Sequence, residues 1–438
     1  MSRPIFRSTG NRFITTYRFM KDPFTCYRQW QKKFGDTFMV RALNGDVVAT
    51  CDRDNVRAIF AARTDEVGQF GVETIKPMLG DTSVLLIEGE PHRRERNLLS
   101  PSFRGERINN SAEEIRNVAL KVAADWQPGD TFRIMDPAME VSLEVIIRVI
   151  FGVQSKDKVE EFKKRIKTFV TSFHPMFAFS KMLQRPLLGL SSWNRFLKAR
   201  EALDEIIHQE IAHHSGCPMA QGNMLSGLMH SKYEDGNDTT STGIRDQLVT
   251  MLMAGHETTQ ISISWAMSWL HCHPEYADRL RAELGQDDSV EAITKSPLLT
   301  GICNESLRIN SVVPDVVRTL REPMQWKEGM LDTGTNIAVA ISLIHEDPEL
   351  YPDPFLFNPD RWNDRDFKPT EFLPFGGGVR KCIGLTLAIL EMKMVLAAWM
   401  KNFRFELPSD APETEPLYRR NITMAPKSGI PLKYVGKR

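Results

Sequence analysis

The residues best suited to chemistry lie near the end of this 438-residue chain, in FLPFGGGVRKCIG at 372–384. Cys382 follows three consecutive glycines (Gly376, Gly377 and Gly378) and Arg380, and precedes Gly384. Glycine takes positive φ without steric cost and lets backbone approach closely. Such a loop can surround a sulfur with backbone N–H groups. Those donors, with Arg380 nearby, favour thiolate over thiol. The run LTLAILEMKMVLAAWM after Gly384 reads as a helix. Cys382 therefore sits near a helix N-terminus, whose dipole also stabilises an anion. The loop is built for a cysteine anion; the bland alternative is a buried structural thiol.

A second constellation is Ala254-Gly255-His256-Glu257-Thr258-Thr259, inside a long apolar run. Glycine within a helix costs about 1 kcal/mol relative to alanine. A threonine hydroxyl can bond the carbonyl four residues back and bend the helix. Together Gly255 and Thr258 could open a small groove, and an acid beside an alcohol suits proton delivery. Alone, the pattern is equally that of a tolerated glycine. His256, next to Glu257, faces elsewhere on the helix and reads as structural. His271-Cys272-His273 has the look of a zinc fragment, but adjacent helical residues diverge and no second ligand pair follows at zinc spacing.

Two further groupings have helical spacing. Glu305 and Arg308 are three apart and share a face. His92 and Arg96, four apart in EGEPHRRERNLLSPSF, also share a face and suit carboxylate partners. Arg93 and Arg94 point away from that face and read as solvent-facing.

The spacing Phe375-x-x-Gly378-x-Arg380-x-Cys382-x-Gly384 resembles the haem-binding loop of the cytochrome P-450 family. The resemblance covers residues 22 to 435 and is strongest from 244 to 400. It implies heme b with Cys382 as the axial iron ligand, a thiolate that pushes electron density onto iron and favours O–O cleavage, as in this family. It implies that Phe375, Gly376 and Gly384 frame the ligand. Arg380, Arg318, His92 and Arg96 would meet the haem propionates. Ala254 and Gly255 would line the oxygen side, and Glu257 and Thr258 would be the acid–alcohol pair that delivers protons. Glu305, Arg308 and Arg361 would form a buried scaffold with no catalytic part.

The implied activity is monooxygenation: one atom of dioxygen enters an apolar substrate and the other leaves as water. No flavin fingerprint occurs, so electrons from NAD(P)H are expected through a ferredoxin- or flavodoxin-type donor with its reductase. A peroxide-using or isomerising haem-thiolate enzyme would not need Glu257 and Thr258. A non-catalytic haem sensor or carrier would need the cysteine loop alone. Residues 169 to 193 are rich in Phe, Met and Leu and fall where the family has its lid. They suggest a fatty acid, terpenoid or steroid-like substrate. Lys163, Lys164, Lys167, Lys181 and Arg185 nearby suggest a peripheral membrane contact.

The elements that must position these groups are mostly helices. FTCYRQWQKKF at 24–34 reads as an amphipathic helix ending at Gly35, and FMVRALNGDVVATC as a hairpin about Asn44-Gly45. Helical periodicity recurs at 111–126, 137–151 and 158–172. A polar loop at 231–243 leads into a long helix from Ile244 to His273, ended by Pro274. The expected fold is mainly α with minor β: one large helical domain with a small β-rich region around one haem. Residues 1–21 are expected as an N-terminal arm and 22–438 as the catalytic domain. With 56 basic and 56 acidic residues the chain is neutral, which excludes bulk nucleic-acid binding. No run reaches the roughly 18 apolar residues of a membrane span. The arginines of 1–21 resemble a transit peptide, but the apparent folded core follows at once, so the cytoplasm is the default. The six cysteines are scattered, as in reduced proteins.

Overall fold

The computed structural model describes the chain except residues 1–3, 5, 104, 175–176, 178–183, 186–190, 216–222, 410–411, 413–414 and 421. Its described residues are mainly helical, with small sheets. They cluster into two compact units, one of 1–70, 115–139 and 258–438, the other of 71–114 and 140–257.

The first unit holds every named sheet. A five-stranded sheet has the order Thr37–Ala42, Gly45–Thr50, Asn336–Val339, Val316–Leu320, Val67–Gln69. Asn336–Val339 runs parallel to Gly45–Thr50, and the other pairings are antiparallel. The hairpin falls where expected, but its turn is Leu43-Asn44, with Ala42 opposite Gly45. Gly45, at φ +130°, is therefore the first residue of the returning strand. Val48, Val56, Ile59, Ile337, Val339 and Leu373 form a core beneath this sheet. The helix Pro23–Phe34 starts on an Asp22 cap and ends at Gly35 (φ +93°). Before it, Arg12–Lys21 is also helical; its Phe19 packs on Tyr27 and Trp30, while Phe13, Ile14 and Tyr17 are exposed.

The second unit is helical. Met135–Val145 begins in the first unit and continues in the second into a π-helical turn, Ile146–Ile150. Lys156–Ser172 and Ser192–Ser215 pack together through Phe169, Phe173 and Phe196. The long helix, Ser241–Cys272, is about 48 Å at 1.5 Å per residue; it begins in the second unit and ends in the first. It starts three residues earlier than its apolar run, because Ser241, Thr242 and Gly243 extend it into the polar segment. His273 separates it from the next helix, which opens with Pro274.

Candidate haem-thiolate site

In the first unit, the cysteine loop is shaped from beneath by Phe60. A Cβ on Gly377 would lie 2.7 Å from the Phe60 ring, and one on Gly378 would lie 2.5 Å from the Phe60 carbonyl oxygen. Gly376 and Gly378 have φ of +63° and +64°, which side chains resist. The consecutive glycines thus answer both a close approach and a left-handed backbone. The Gly376 N–H donates to Leu373 O (2.9 Å), the Lys381 N–H to Gly378 O (3.1 Å), and the Cys382 N–H to Phe375 O (3.0 Å). Gly384 caps the helix Leu385–Asn402, whose far half is buried. Cys382 itself is exposed.

The other described cysteines are poor anions. Burial pushes the Cys303 thiol up to about 12, and Cys26, Cys51 and Cys272 are also raised, each first by desolvation. Cys217 lies outside the described residues.

Arg318 stands on the strand Val316–Leu320 beside this loop, since a Cβ at Gly376 would meet Val316 at 3.7 Å. The Arg318 guanidinium donates to Val317 O (2.9 Å), and no carboxylate pairs with it among the described residues. Burial lowers its pKa to about 10. A desolvated cation with no carboxylate partner among the described residues, on the strand beside the loop of an exposed cysteine, fits an anionic, thiolate-ligated cofactor.

The scaffold expected from Glu305, Arg308 and Arg361 is present. Glu305 and Arg308 are wholly buried side chains, and Arg361 is nearly so. Arg308 donates to both Glu305 oxygens (2.9 and 2.7 Å), and Arg361 Nε donates to Oε1 (2.9 Å). The sequence did not reveal that Trp362 Nε1 (3.0 Å) and the Asn358 N–H (3.2 Å) also donate to this carboxylate. Nor did it reveal Phe60 or His345, whose partners lie far away in the chain. Thr258, also in this unit, accepts through its carbonyl from Ser262 Oγ (2.8 Å), and its side chain is half-buried.

In the second unit, the helix Gly89–Leu99 carries buried His92 and half-buried Arg96 on one face. Arg93 is exposed and paired with Glu90 (2.6 Å). Arg94 does not simply face solvent: its guanidinium stacks 3.9 Å from the Tyr233 ring and pairs with Asp235 at 2.9 Å. On the long helix Ala254 is exposed, and Gly255 and Glu257 are half-buried. A Cβ at Gly255 would approach Ile146 Cδ1 to 3.2 Å, so this glycine serves helix packing at the π-turn as well as any groove. His256 is buried, with Nδ1 2.7 Å from Leu252 O, a structural histidine as expected.

Within the segment expected as a lid, the described aromatic side chains pack inside the protein. Phe169, Phe173, Phe177 and Trp193 are buried against one another and Phe196, so their apolar surface is used within the protein. Lys163 is buried and bonded to Glu144 (2.7 Å), so it is not available to headgroups, while the half-exposed Lys167 pairs with Glu140. Met176, Phe179, Lys181, Met182, Leu183, Leu187, Leu188 and Leu190 lie outside the described residues.

A sequence model of the family Cytochrome P450 matches residues 12–432. The chain belongs to the cytochrome P450 family. The putative cytochrome P450 135B1 of Mycobacterium tuberculosis is 31% identical over 416 residues, covering 92% of this chain and 85% of that protein. The putative cytochrome P450 138 of the same organism is 30% identical over 402 residues, covering 91% and 88%. Among solved structures, retinoic acid-bound cyanobacterial CYP120A1 superposes with a TM-score of 0.86 at 22% identity, covering 99% of this chain and all of that one. The cytochrome P450 fold, the haem b cofactor and monooxygenase chemistry follow from this membership. No helix among the described residues is long and apolar enough to cross a membrane.

Proposed function

We propose that this P450 oxidises an apolar, lipid-sized substrate, with Cys382 as the axial ligand of its haem. Electrons would come from NAD(P)H through a separate ferredoxin- or flavodoxin-type donor and its reductase. The observation that carries this reading is the cysteine loop: a glycine turn closed on Phe60, Cys382 ahead of a buried helix, and on the neighbouring strand Arg318, which pairs with no carboxylate among the described residues. When bound, the haem supplies dioxygen reduction and oxygen-atom transfer.

The chain's own residues divide the remaining work. The loop and the helix N-terminus hold Cys382 as thiolate. Arg318, Arg380, His92 and Arg96 neutralise the propionates, and Phe375, Gly376 and Gly384 frame the sulfur. The Glu257 carboxyl and Thr258 hydroxyl pass protons inward, with Ala254 and Gly255 leaving room beside them. Lys368 and Lys381, exposed on the segments leading to Cys382, supply positive charge for an acidic electron donor.

Support for an apolar substrate comes from the long helix rather than the lid. Between buried Leu252 and His256, the positions open to the surface of the second unit are Met253, Ala254 and Gly255, none of them polar. Apolar contact stabilises a ligand by about 25 cal/mol per Å² buried. A binding series of fatty acids, terpenes, steroids and small polar aromatics, followed by the haem spectrum, tests this. Shifts are expected with the lipophilic compounds; shifts with only the small polar ones would refute the substrate class.

A further inference from the structure

We infer that His345 is a positioning residue for the cysteine loop, fixing where that loop leaves the Glu305–Arg308 scaffold. The inference rests on Cys382 being the iron ligand. His345 ends the short helix Ile341–His345 and is 1% exposed. Its Nε2 lies 2.8 Å from the Leu373 N–H. A backbone amide can only donate, so Nε2 is unprotonated and the ring proton sits on Nδ1. Nδ1 lies 3.1 Å from Arg308 O and 2.9 Å from Ser311 Oγ. The carbonyl can only accept, which suits the same tautomer. Arg308 also grips this residue from the other side, donating to His345 O at 2.7 Å. Burial and then the Arg308 charge hold the ring pKa down at about 3, so one neutral tautomer persists at any working pH.

The bonds lead on to the cysteine. Leu373 donates its N–H to the ring, while its carbonyl accepts from the Gly376 N–H; Phe375 O accepts from the Cys382 N–H. The Phe372 ring lies 5.7 Å from the imidazole, a further constraint on the same segment. The loop is thus anchored twice, by Phe60 under its glycines and by His345 at its first turn. Phe60 crowds the loop at Gly377 and Gly378; the acceptor on His345 fixes its starting register. Nothing in the spacing of Glu305, Arg308 and Cys382 requires this histidine, yet it joins the scaffold to the ligand.

The test compares two amides in the holoenzyme. The amide oxygen of His345→Gln can stand where Nε2 does and accept from Leu373. His345→Asn is one bond shorter, keeps a partner for Arg308 O and leaves the Leu373 N–H without an acceptor. Each variant is reduced under carbon monoxide, and the red-shifted thiolate Soret band is followed as it decays to the non-thiolate form. His345→Gln should decay like wild type. His345→Asn should lose the band about ten-fold faster, the scale of one buried N–H left unsatisfied, or should fail to yield thiolate-ligated enzyme at all. The inference is overturned if His345→Asn behaves as wild type. It is equally overturned if His345→Gln is no better than His345→Asn, including the case in which neither assembles, because the acceptor would then not be what matters. Amide hydrogen exchange at Leu373 separates this from failure of the ligand assignment: protection that is lost in His345→Asn while Cys382→Ser keeps the thiolate band would leave the anchor standing and remove Cys382 as ligand.

Discussion

Replacing Glu305 with alanine tests the scaffold most severely. The carboxylate is wholly buried and receives five hydrogen bonds: two from Arg308, one each from Arg361, Trp362 and the Asn358 N–H. Alanine removes all five and leaves two buried guanidinium groups without their carboxylate. Arg308 would retain only His345 O and the face of Tyr351, 4.8 Å away, and Arg361 the carbonyls of Pro352 and Leu356. Breaking a buried ion pair costs about 3–5 kcal/mol. With a second guanidinium and two neutral donors also stranded, the upper end of that range applies. Domains are stable by only about 5–15 kcal/mol, so the loss takes a large share of the total. The assay is urea unfolding followed by far-ultraviolet circular dichroism and by the Soret band, with haem content measured on the purified protein. Poor holoprotein yield and a sharply lowered midpoint are expected. A change below about 1 kcal/mol, the range of exposed ion pairs, would refute the reading of this network as a buried support.

Thr258→Ala should leave haem and substrate binding intact while electrons drain into hydrogen peroxide; an unchanged ratio of product to NAD(P)H consumed would remove Thr258 from proton delivery. Arg318→Leu should stabilise the haem-free protein, because a desolvated charge is gone, yet release haem to a scavenger roughly ten-fold faster, as expected for loss of a charge-assisted contact. Equal haem release by variant and wild type would argue that Arg318 faces no propionate.

The fold was legible where local chemistry decided it. Gly35 marked the end of one helix and Pro274 the end of the long one, and Leu385 followed Gly384 as a helix should. The hairpin turn was misplaced by one residue because Asn-Gly signals a turn without fixing which two residues occupy it. The scaffold was legible because Glu305 and Arg308 carry helical spacing, but Trp362, Asn358 and His345 join it across tens of residues with no spacing to betray them. An apolar run does not say what its side chains touch: Phe169, Phe173 and Trp193, from the segment expected as a lid, each pack on Phe196. Lys163 was misread for the matching reason, since its carboxylate partner, Glu144, lies nineteen residues away on another helix. Gly255 carries both readings: the sequence offered a groove, and the packing against Ile146 adds a steric requirement that only tertiary structure shows.

The central claim is that Cys382 ligates the haem iron as thiolate. The reduced, carbon monoxide-bound protein reports this directly. Wild type should show the red-shifted Soret band of thiolate coordination, and Cys382→Ser should abolish it while Cys26, Cys51, Cys217, Cys272 and Cys303 remain in place. A red-shifted band that survives in Cys382→Ser would mean that another cysteine is the ligand, and the assignment of the glycine-rich loop as the haem site would be wrong.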